Sequence, residues 1–220
     1  MDTISTILVT GPDAFEFLQG QLSNDLKRLE SEADIRAAWC NPKGRVIWFG
    51  LVSVTETGYD LLAPTEMAND LVTRLTMFRF RSKVEFEVHD DGITVDPADR
   101  IRDGVPFISA EQSEQFTPHM LNLDLLDTIS FDKGCYTGQE IVARTHYKGA
   151  TKRRTLRFEC KEPVSVGDKV SLDDRDVGEV LNTSGTDLLA VIPVEFADAG
   201  LMINGAAITR APMPYDLAPA

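Results

Sequence analysis

One cysteine stands between two glycines in residues 133–140, whose sequence is KGCYTGQE. The thiolate is the reactive form of cysteine, and a nearby cation such as Lys133 favours it. Gly134 and Gly138 have no side chains that would cover Cys135. The segment therefore predicts a reactive thiol at Cys135 with Lys133 as its activating cation. The alternative is that Cys135 is a small buried apolar residue, as free cysteines usually are.

Three polar or aromatic residues follow this cysteine closely. Tyr136 can stack on a flat ring and donate a hydrogen bond. Gln139 and Glu140 can match the donors and acceptors on the edge of a heterocycle. The same two residues are equally suited to begin a helix, and their spacing alone does not decide between these interpretations.

The remaining cysteines and histidines give weaker signals. Cys40 and Cys160 are too scattered to form a disulfide framework with Cys135, and the odd count leaves a free thiol. The histidines share no ligand spacing with each other or with the cysteines, so no dedicated metal site is expected. His146 remains open as the partner of a Cys–His pair, because such a pair needs proximity only in space. A packing or surface role is favoured for both His146 and His119.

Composition limits the classes of function. The chain has 220 residues, 43% of them hydrophobic, and a net charge of −13, which disfavours direct nucleic-acid binding. No apolar run approaches the ~20 residues that span a bilayer, and no signal or transit peptide is visible, so a cytoplasmic location without membrane association is expected. Basic residues nevertheless cluster between Lys133 and Arg157. They form either a solvated face balanced by nearby acids or an anion site beside Cys135.

Hydrophobic patterning predicts two regions. A strand, a helix, a hairpin, a helix and a strand in residues 1–88 indicate an α+β layer on a mostly antiparallel sheet. Short strands separated by turns after residue 150 indicate a small β-barrel or sandwich. The predicted domains are 1–150 and 151–220, with a polar, turn-prone stretch between residues 89 and 118.

The spacing of apolar residues predicts the buried faces of the two helices. The first helix, opened by Gly11-Pro12-Asp13-Ala14, should present Phe15, Leu18, Leu22 and Leu26 on one face. The second, opened by Pro64, should present Met67, Leu71, Leu75 and Phe78. Asp70 lies on this second helix and is a candidate site carboxylate, although a solvated helix face explains it equally well.

The chain resembles the YgfZ family of folate-binding proteins, relatives of the aminomethyltransferase (T-protein) of glycine cleavage. The family's signature corresponds to residues 133–140, followed here by Ile141-Val142-Ala143-Arg144. Other matching segments are Gly11-Pro12-Asp13-Ala14, Phe17-Leu18-Gln19-Gly20-Gln21, Trp39-Cys40-Asn41-Pro42-Lys43-Gly44-Arg45, Arg81-Ser82-Lys83-Val84, Asn122-Leu123-Asp124 and Val177-Gly178-Glu179-Val180. Residues 90–120 look abbreviated relative to longer members.

The resemblance implies aminomethyltransferase-like folate-binding lobes with a small C-terminal β-barrel. It also implies that tetrahydrofolate or a derivative binds, and that the protein supports assembly or repair of iron–sulfur clusters, including those of tRNA-modifying enzymes. Partners would be folate and iron–sulfur client or assembly proteins, and an enzymatic transferase or redox step is left open. By analogy Cys135 is the functional thiol. The pterin and the anionic tail of folate suit the aromatic and basic residues nearby, with Arg144 among the binding residues.

Two alternatives stay open. The first is a tetrahydrofolate-dependent aminomethyltransferase, which would need no cysteine. Ala63-Pro64 stands where the T-protein usually has an asparagine ahead of its catalytic aspartate, although Asp70 preserves an acid. The second is a non-catalytic scaffold that binds a partner through basic residues such as Arg153 and Arg154.

Overall fold

The computed structural model describes residues 1–149 and 151–217, which divide into two compact units. The first unit comprises Met1–Val95, Ile108–Pro118 and Leu126–Ala143. The second comprises Asp96–Phe107, His119–Leu125 and the described residues from Arg144 onward. The boundary predicted at residue 150 falls outside the described residues, and the domains 1–150 and 151–220 stay a prediction, as does an abbreviated region near 90–120.

The first unit is built on a five-stranded antiparallel sheet with strand order β2-β3-β4-β1-β5. Its elements are β1 (Asp2–Thr10), α1 (Ala14–Gln21), a 3₁₀ helix (Leu26–Glu30), β2 (Asp34–Cys40), β3 (Val46–Val54), β4 (Gly58–Pro64), α2 (Thr65–Phe78) and β5 (Glu85–Val95). The predicted order of strand, helix, hairpin, helix and strand is thus observed, with β2 as a further strand.

The second helix has the apolar face that its sequence predicts. Met67, Leu71 and Leu75 are buried in one cluster with both tryptophans, and Phe78 packs against it. The first helix differs from the prediction. It ends at Gln21 because Leu22 adopts an extended conformation and forms an isolated β-bridge with Trp39.

The second unit contains a closed six-stranded barrel with strand order β10-β11-β6-β9-β8-β7. Its strands are β6 (Arg153–Cys160), β7 (Lys169–Leu172), β8 (Arg175–Ser184), β9 (Asp187–Pro193), β10 (Met202–Ile203) and β11 (Ala206–Arg210). The predicted C-terminal barrel is confirmed, and the sandwich alternative is excluded because the strands close on one another.

Two further helices lie between β5 and β6 in the sequence. They are α3 (Pro97–Arg102) and α4 (Gln139–Lys148). The sequence predicts a loop where α3 forms. Asp96 caps this short helix by accepting a hydrogen bond from the amide of Ala98 at 2.9 Å, and α3 packs on the barrel strands β8 and β9. Among the described helices, none combines the length and the apolar composition that crossing a bilayer requires.

Candidate functional site

Cys135 is the one exposed cysteine of the three in the chain. Cys40 ends β2 and is fully buried, and burial raises the pKa of its thiol to about 12. Cys160 lies in the core of the barrel. A thiol must be accessible to react, so only Cys135 is placed for chemistry with a ligand or partner.

Lys133 is held inside the first unit. Its side chain is buried (8% exposed), and its Nζ donates hydrogen bonds to the carbonyl oxygens of Gln19, Leu22 and Asn24 at 2.7, 2.6 and 2.8 Å. Burial lowers the pKa of the ammonium to about 8, against the opposing effect of Asp25, so at pH 7 it retains all three donors. All three donors are therefore engaged by the backbone, and Lys133 anchors the segment that carries Cys135.

The carbonyls that hold Lys133 are available because of how α1 ends. The last carbonyls of a helix have no partner within it, and α1 passes into extended backbone at Leu22. Ser23 also bonds to the chain that leads to the cysteine segment. Its hydroxyl donates to the carbonyl of Thr128 at 2.8 Å, and its carbonyl accepts from the amide of Ser130 at 2.9 Å. Sequence reasoning missed this role of residues 19–24, although Gln19-Gly20-Gln21 places two polar residues and a glycine inside the helical pattern and so marks the point where the helix weakens.

Gly138 fixes the other end of the cysteine segment. It has a φ of +82°, and a Cβ at this position would lie 2.5 Å from the carbonyl oxygen of Asn41 and 3.2 Å from the Cβ of Cys40. Only glycine tolerates both this backbone conformation and this close approach. Gly134 differs, since a Cβ there would meet nothing within 4 Å.

Two of the three residues predicted to bind a heterocycle beside Cys135, Tyr136 and Gln139, make local contacts. Tyr136 is only 6% exposed, and its ring lies 5.4 Å from the Lys133 Nζ, in cation–π range. Burial raises the pKa of its phenol. A pterin could not stack on this ring without displacing neighbouring side chains. Gln139 is the first residue of α4, in agreement with the interpretation that it begins a helix. Its Oε1 accepts a hydrogen bond from the amide of Tyr136 at 3.3 Å.

The charged candidates lie at the surface. Glu140 and Arg144 are exposed, one turn apart on α4. Asp70 is an exposed residue of α2 and accepts a 2.8 Å salt bridge from Arg74, the residue one turn later. This ion pair at the surface of α2 agrees with the interpretation of Asp70 as part of a solvated helix face.

A small apolar cavity of about 10 Å³ lies in the core of the first unit, lined by side chains that include Leu22, Trp39 and Trp48. Pockets that bind small molecules usually measure about 300–1,000 Å³. This cavity is therefore too small for a pterin, and a folate would have to bind elsewhere.

The basic cluster predicted from the sequence is not a continuous cationic face. Arg154 is buried and forms a two-pronged ion pair with Asp124 at 2.8 and 3.0 Å. Arg157 pairs with Asp187 at 2.6 Å. These arginines of β6 are neutralised within the second unit, in agreement with the interpretation that acids balance the cluster.

The structure brings together three side chains that sequence reasoning kept apart. The ligand atoms of His119, Asp124 and His146 all lie within 4.8 Å of one another. His119 is buried, and burial lowers the pKa of its imidazole. The sequence predicts no metal-ligating group because these residues have no regular spacing. Only the fold of the second unit reveals the cluster.

The sheet, the helices and the closed barrel together define an aminomethyltransferase-like fold, as predicted. The structure is similar to a glycine cleavage system aminomethyltransferase T from Bartonella henselae, with a TM-score of 0.77 over 96% of this chain and 83% of that one. Sequence identity between the two is 14%, so this likeness shows the fold alone.

The resemblance to the YgfZ family is also confirmed by sequence. A tRNA-modifying protein YgfZ from Klebsiella pneumoniae is 26% identical, over 87% of this chain and 80% of that protein. The tRNA-modifying protein YgfZ from Hamiltonella defensa is 27% identical over 80% of this chain and 75% of its own. An uncharacterized protein from Haemophilus influenzae is 29% identical, over 76% and 75% of the two chains. No family model matches the chain.

Proposed function

We propose that this protein binds tetrahydrofolate or a derivative in the cytoplasm and supports the assembly or repair of iron–sulfur clusters through Cys135. Clusters of tRNA-modifying enzymes are among its proposed clients, consistent with relatives named tRNA-modifying protein YgfZ. The observation that carries the proposal is the exposure of Cys135 on an anchored segment while Cys40 and Cys160 are buried. The aminomethyltransferase fold supports the folate part.

The proposed role of Cys135 follows from the chemistry of a thiolate, which is both a nucleophile and a ligand for iron. Lys133 ties its segment to the end of α1, and Gly138 ties it to the turn at Asn41. Both ends of the segment are therefore held, and the exposed thiol between them is accessible to a client protein. Lys133 contributes to the function by positioning Cys135.

The proposed folate contacts use the exposed charges of α4. The Glu140 carboxylate would accept hydrogen bonds from the amino and ring N–H groups of a pterin. The Arg144 guanidinium would bind a carboxylate of the glutamate tail. Gln139 and Tyr136 would support this surface from beneath, and Asp70 would contribute only after leaving Arg74. When bound, tetrahydrofolate would supply a carrier for a one-carbon unit.

Aminomethyl transfer is a second candidate, because the fold matches an aminomethyltransferase. It leaves the exposed cysteine without a role. Formation of methylenetetrahydrofolate from an aminomethyl-lipoyl carrier protein, at equal rates in the wild type and in Cys135→Ser, would support this candidate over the first.

A complementation experiment tests the main proposal. A strain that lacks the gene receives the wild type, Cys135→Ser or the buried-cysteine control Cys160→Ala, with protein abundance measured in each. We expect the wild type and Cys160→Ala to restore cluster-containing enzymes and tRNA thiolation, and Cys135→Ser to fail. Full rescue by Cys135→Ser would refute the role of the thiol and favour the scaffold.

Calorimetry tests the folate part separately. We expect the purified wild type to bind tetrahydrofolate, and Glu140→Gln and Arg144→Gln to bind it more weakly. Lys161→Gln, at an exposed position just after β6, is the matched control and should bind like the wild type. Absence of binding to the wild type would remove folate from the proposal even if Cys135 proves essential.

A further inference from the structure

The second unit contains a cluster of ligand-bearing side chains that the proposed function does not use. His119 and Asp124 lie on one segment before the barrel, and His146 lies in the last turn of α4. The rings of His119 and His146 have their centroids 6.0 Å apart. One nitrogen or oxygen from each of the three residues lies within 4.8 Å of those of the other two.

His119 supplies an independent observation. Its side chain is 2% exposed, and within the described residues neither ring nitrogen has a hydrogen-bond partner. A buried polar group without a partner loses its hydrogen bonds to water and gains none in return, so native structures rarely leave one unexplained. Unlike an ordinary core histidine, His119 has both nitrogens unpaired and faces two other ligand-bearing groups. A bound metal ion would provide a partner for one of the two ring nitrogens of His119.

Asp124 is held in place for such a role. Both of its carboxylate oxygens accept hydrogen bonds from Arg154, at 2.8 and 3.0 Å. Each oxygen retains a second lone pair, because a carboxylate has about four acceptor sites. Arg154 also donates to the backbone carbonyl of His119 at 3.2 Å, so one guanidinium orients the segment that carries two of the three ligands. Partners of this kind commonly fix metal-ligating carboxylates.

We propose that His119, Asp124 and His146 bind a divalent transition-metal ion, with Zn²⁺ as the best match to two imidazoles and one carboxylate. Sites with three protein ligands of this kind leave a fourth position for water or a substrate. Zinc bonds of about 2.0–2.1 Å would draw the ligand atoms to about 3–3.5 Å from one another. The exposed His146 side chain can make most of this adjustment, since the other two are buried. The site is independent of the proposed function at Cys135.

Metal titration of the full-length protein tests this inference. The probe is Zn²⁺ alone, measured by calorimetry and by metal content after gel filtration. We expect one ion per chain, and at least about a tenfold loss of affinity in His146→Ala, which removes an exposed ligand without disturbing the core. His89→Ala, an exposed histidine of β5, is the matched control and should bind like the wild type.

The exposed thiol requires a second control, because thiolates also bind zinc. Cys135→Ser should retain the bound ion, and Co²⁺ in the same site should show the weak visible bands of nitrogen and oxygen ligands without intense thiolate charge-transfer absorption. The proposal is overturned if the wild type binds no stoichiometric Zn²⁺, if His146→Ala binds as tightly, or if Cys135→Ser abolishes binding.

Discussion

The Lys133 Nζ lies 2.6 Å from the carbonyl oxygen of Leu22, at the point where α1 has given way to extended backbone. This contact joins two segments that lie far apart in the sequence and places the end of a helix beneath the loop that carries Cys135. Two more carbonyls of the same short stretch, those of Gln19 and Asn24, complete the contact. A cation suits this position because the carbonyl ends of a helix have negative character.

Replacing Lys133 by Met should destabilise the first unit. The substitution removes three hydrogen bonds to largely buried carbonyls, and we expect the free energy of unfolding to fall by about 2–4 kcal/mol. Denaturant titration can follow this unit alone, because Trp39 and Trp48, the two tryptophans of the chain, both lie in its core. Lys43→Met, at an exposed position, should change stability by less than about 0.5 kcal/mol. Equal effects of the two substitutions would contradict the anchoring role.

The glycines on either side of Cys135 should differ in their tolerance of alanine. Gly138→Ala should destabilise the protein by at least about 2 kcal/mol, because a left-handed backbone disfavours a Cβ and the Asn41 carbonyl blocks it. Gly134→Ala should change stability by less than about 0.5 kcal/mol, since its Cβ meets open space. Thermal unfolding of the pair gives the comparison, and a tolerated Gly138→Ala would show that the segment is not clamped there.

Thiol labelling should distinguish Cys135 from the other cysteines. A maleimide added to the native protein should modify one of the three thiols, and peptide mapping should locate it at Cys135. All three should react after denaturation, because Cys40 and Cys160 are buried only in the folded chain. Modification of Cys40 at a rate similar to that of Cys135 in the native protein would be inconsistent with the structure.

Alkaline pH should weaken the fold through Cys40. Its folded-state pKa of about 12 exceeds the ordinary value of 9.0, so above pH 9 the folded chain retains a proton that the unfolded chain loses. The contribution of Cys40 to the free energy of unfolding is therefore fully present below pH 9. It is lost as the pH rises from 9 through 12, with a slope of up to about 1.4 kcal/mol per pH unit. Cys40→Ala removes this titration. Its unfolding free energy should therefore decline less steeply above pH 9 than that of the wild type, and parallel slopes would argue against the assignment.

Local patterns predicted much of the fold. Met67, Leu71 and Leu75 repeat at the helical period and are buried together, and the alternating segments after residue 150 form the barrel. The end of α1 was not predictable in the same way. Leu22 continues the helical spacing, but its bridge to Trp39 lies outside the local sequence and ends the helix.

The candidate site was predictable only in part. The glycines around Cys135 indicated an accessible thiol, and the structure exposes it. Lys133 looked like an activating cation because it stands two residues from the thiol, whereas its ammonium bonds to distant carbonyls. The grouping of His119 with His146 depends on tertiary structure and leaves no trace in their spacing.

The support beneath the cysteine segment comes from residues 19–24, near the start of the chain. Substitutions in residues 19–24 that weaken the end of α1 would displace the Cys135 thiol without changing any of residues 133–140. Such alleles should mimic loss of the cysteine itself. A compensating second-site change should then arise at or beside Asp127 and Thr128, whose carbonyl oxygens accept hydrogen bonds from Asn24 and Ser23.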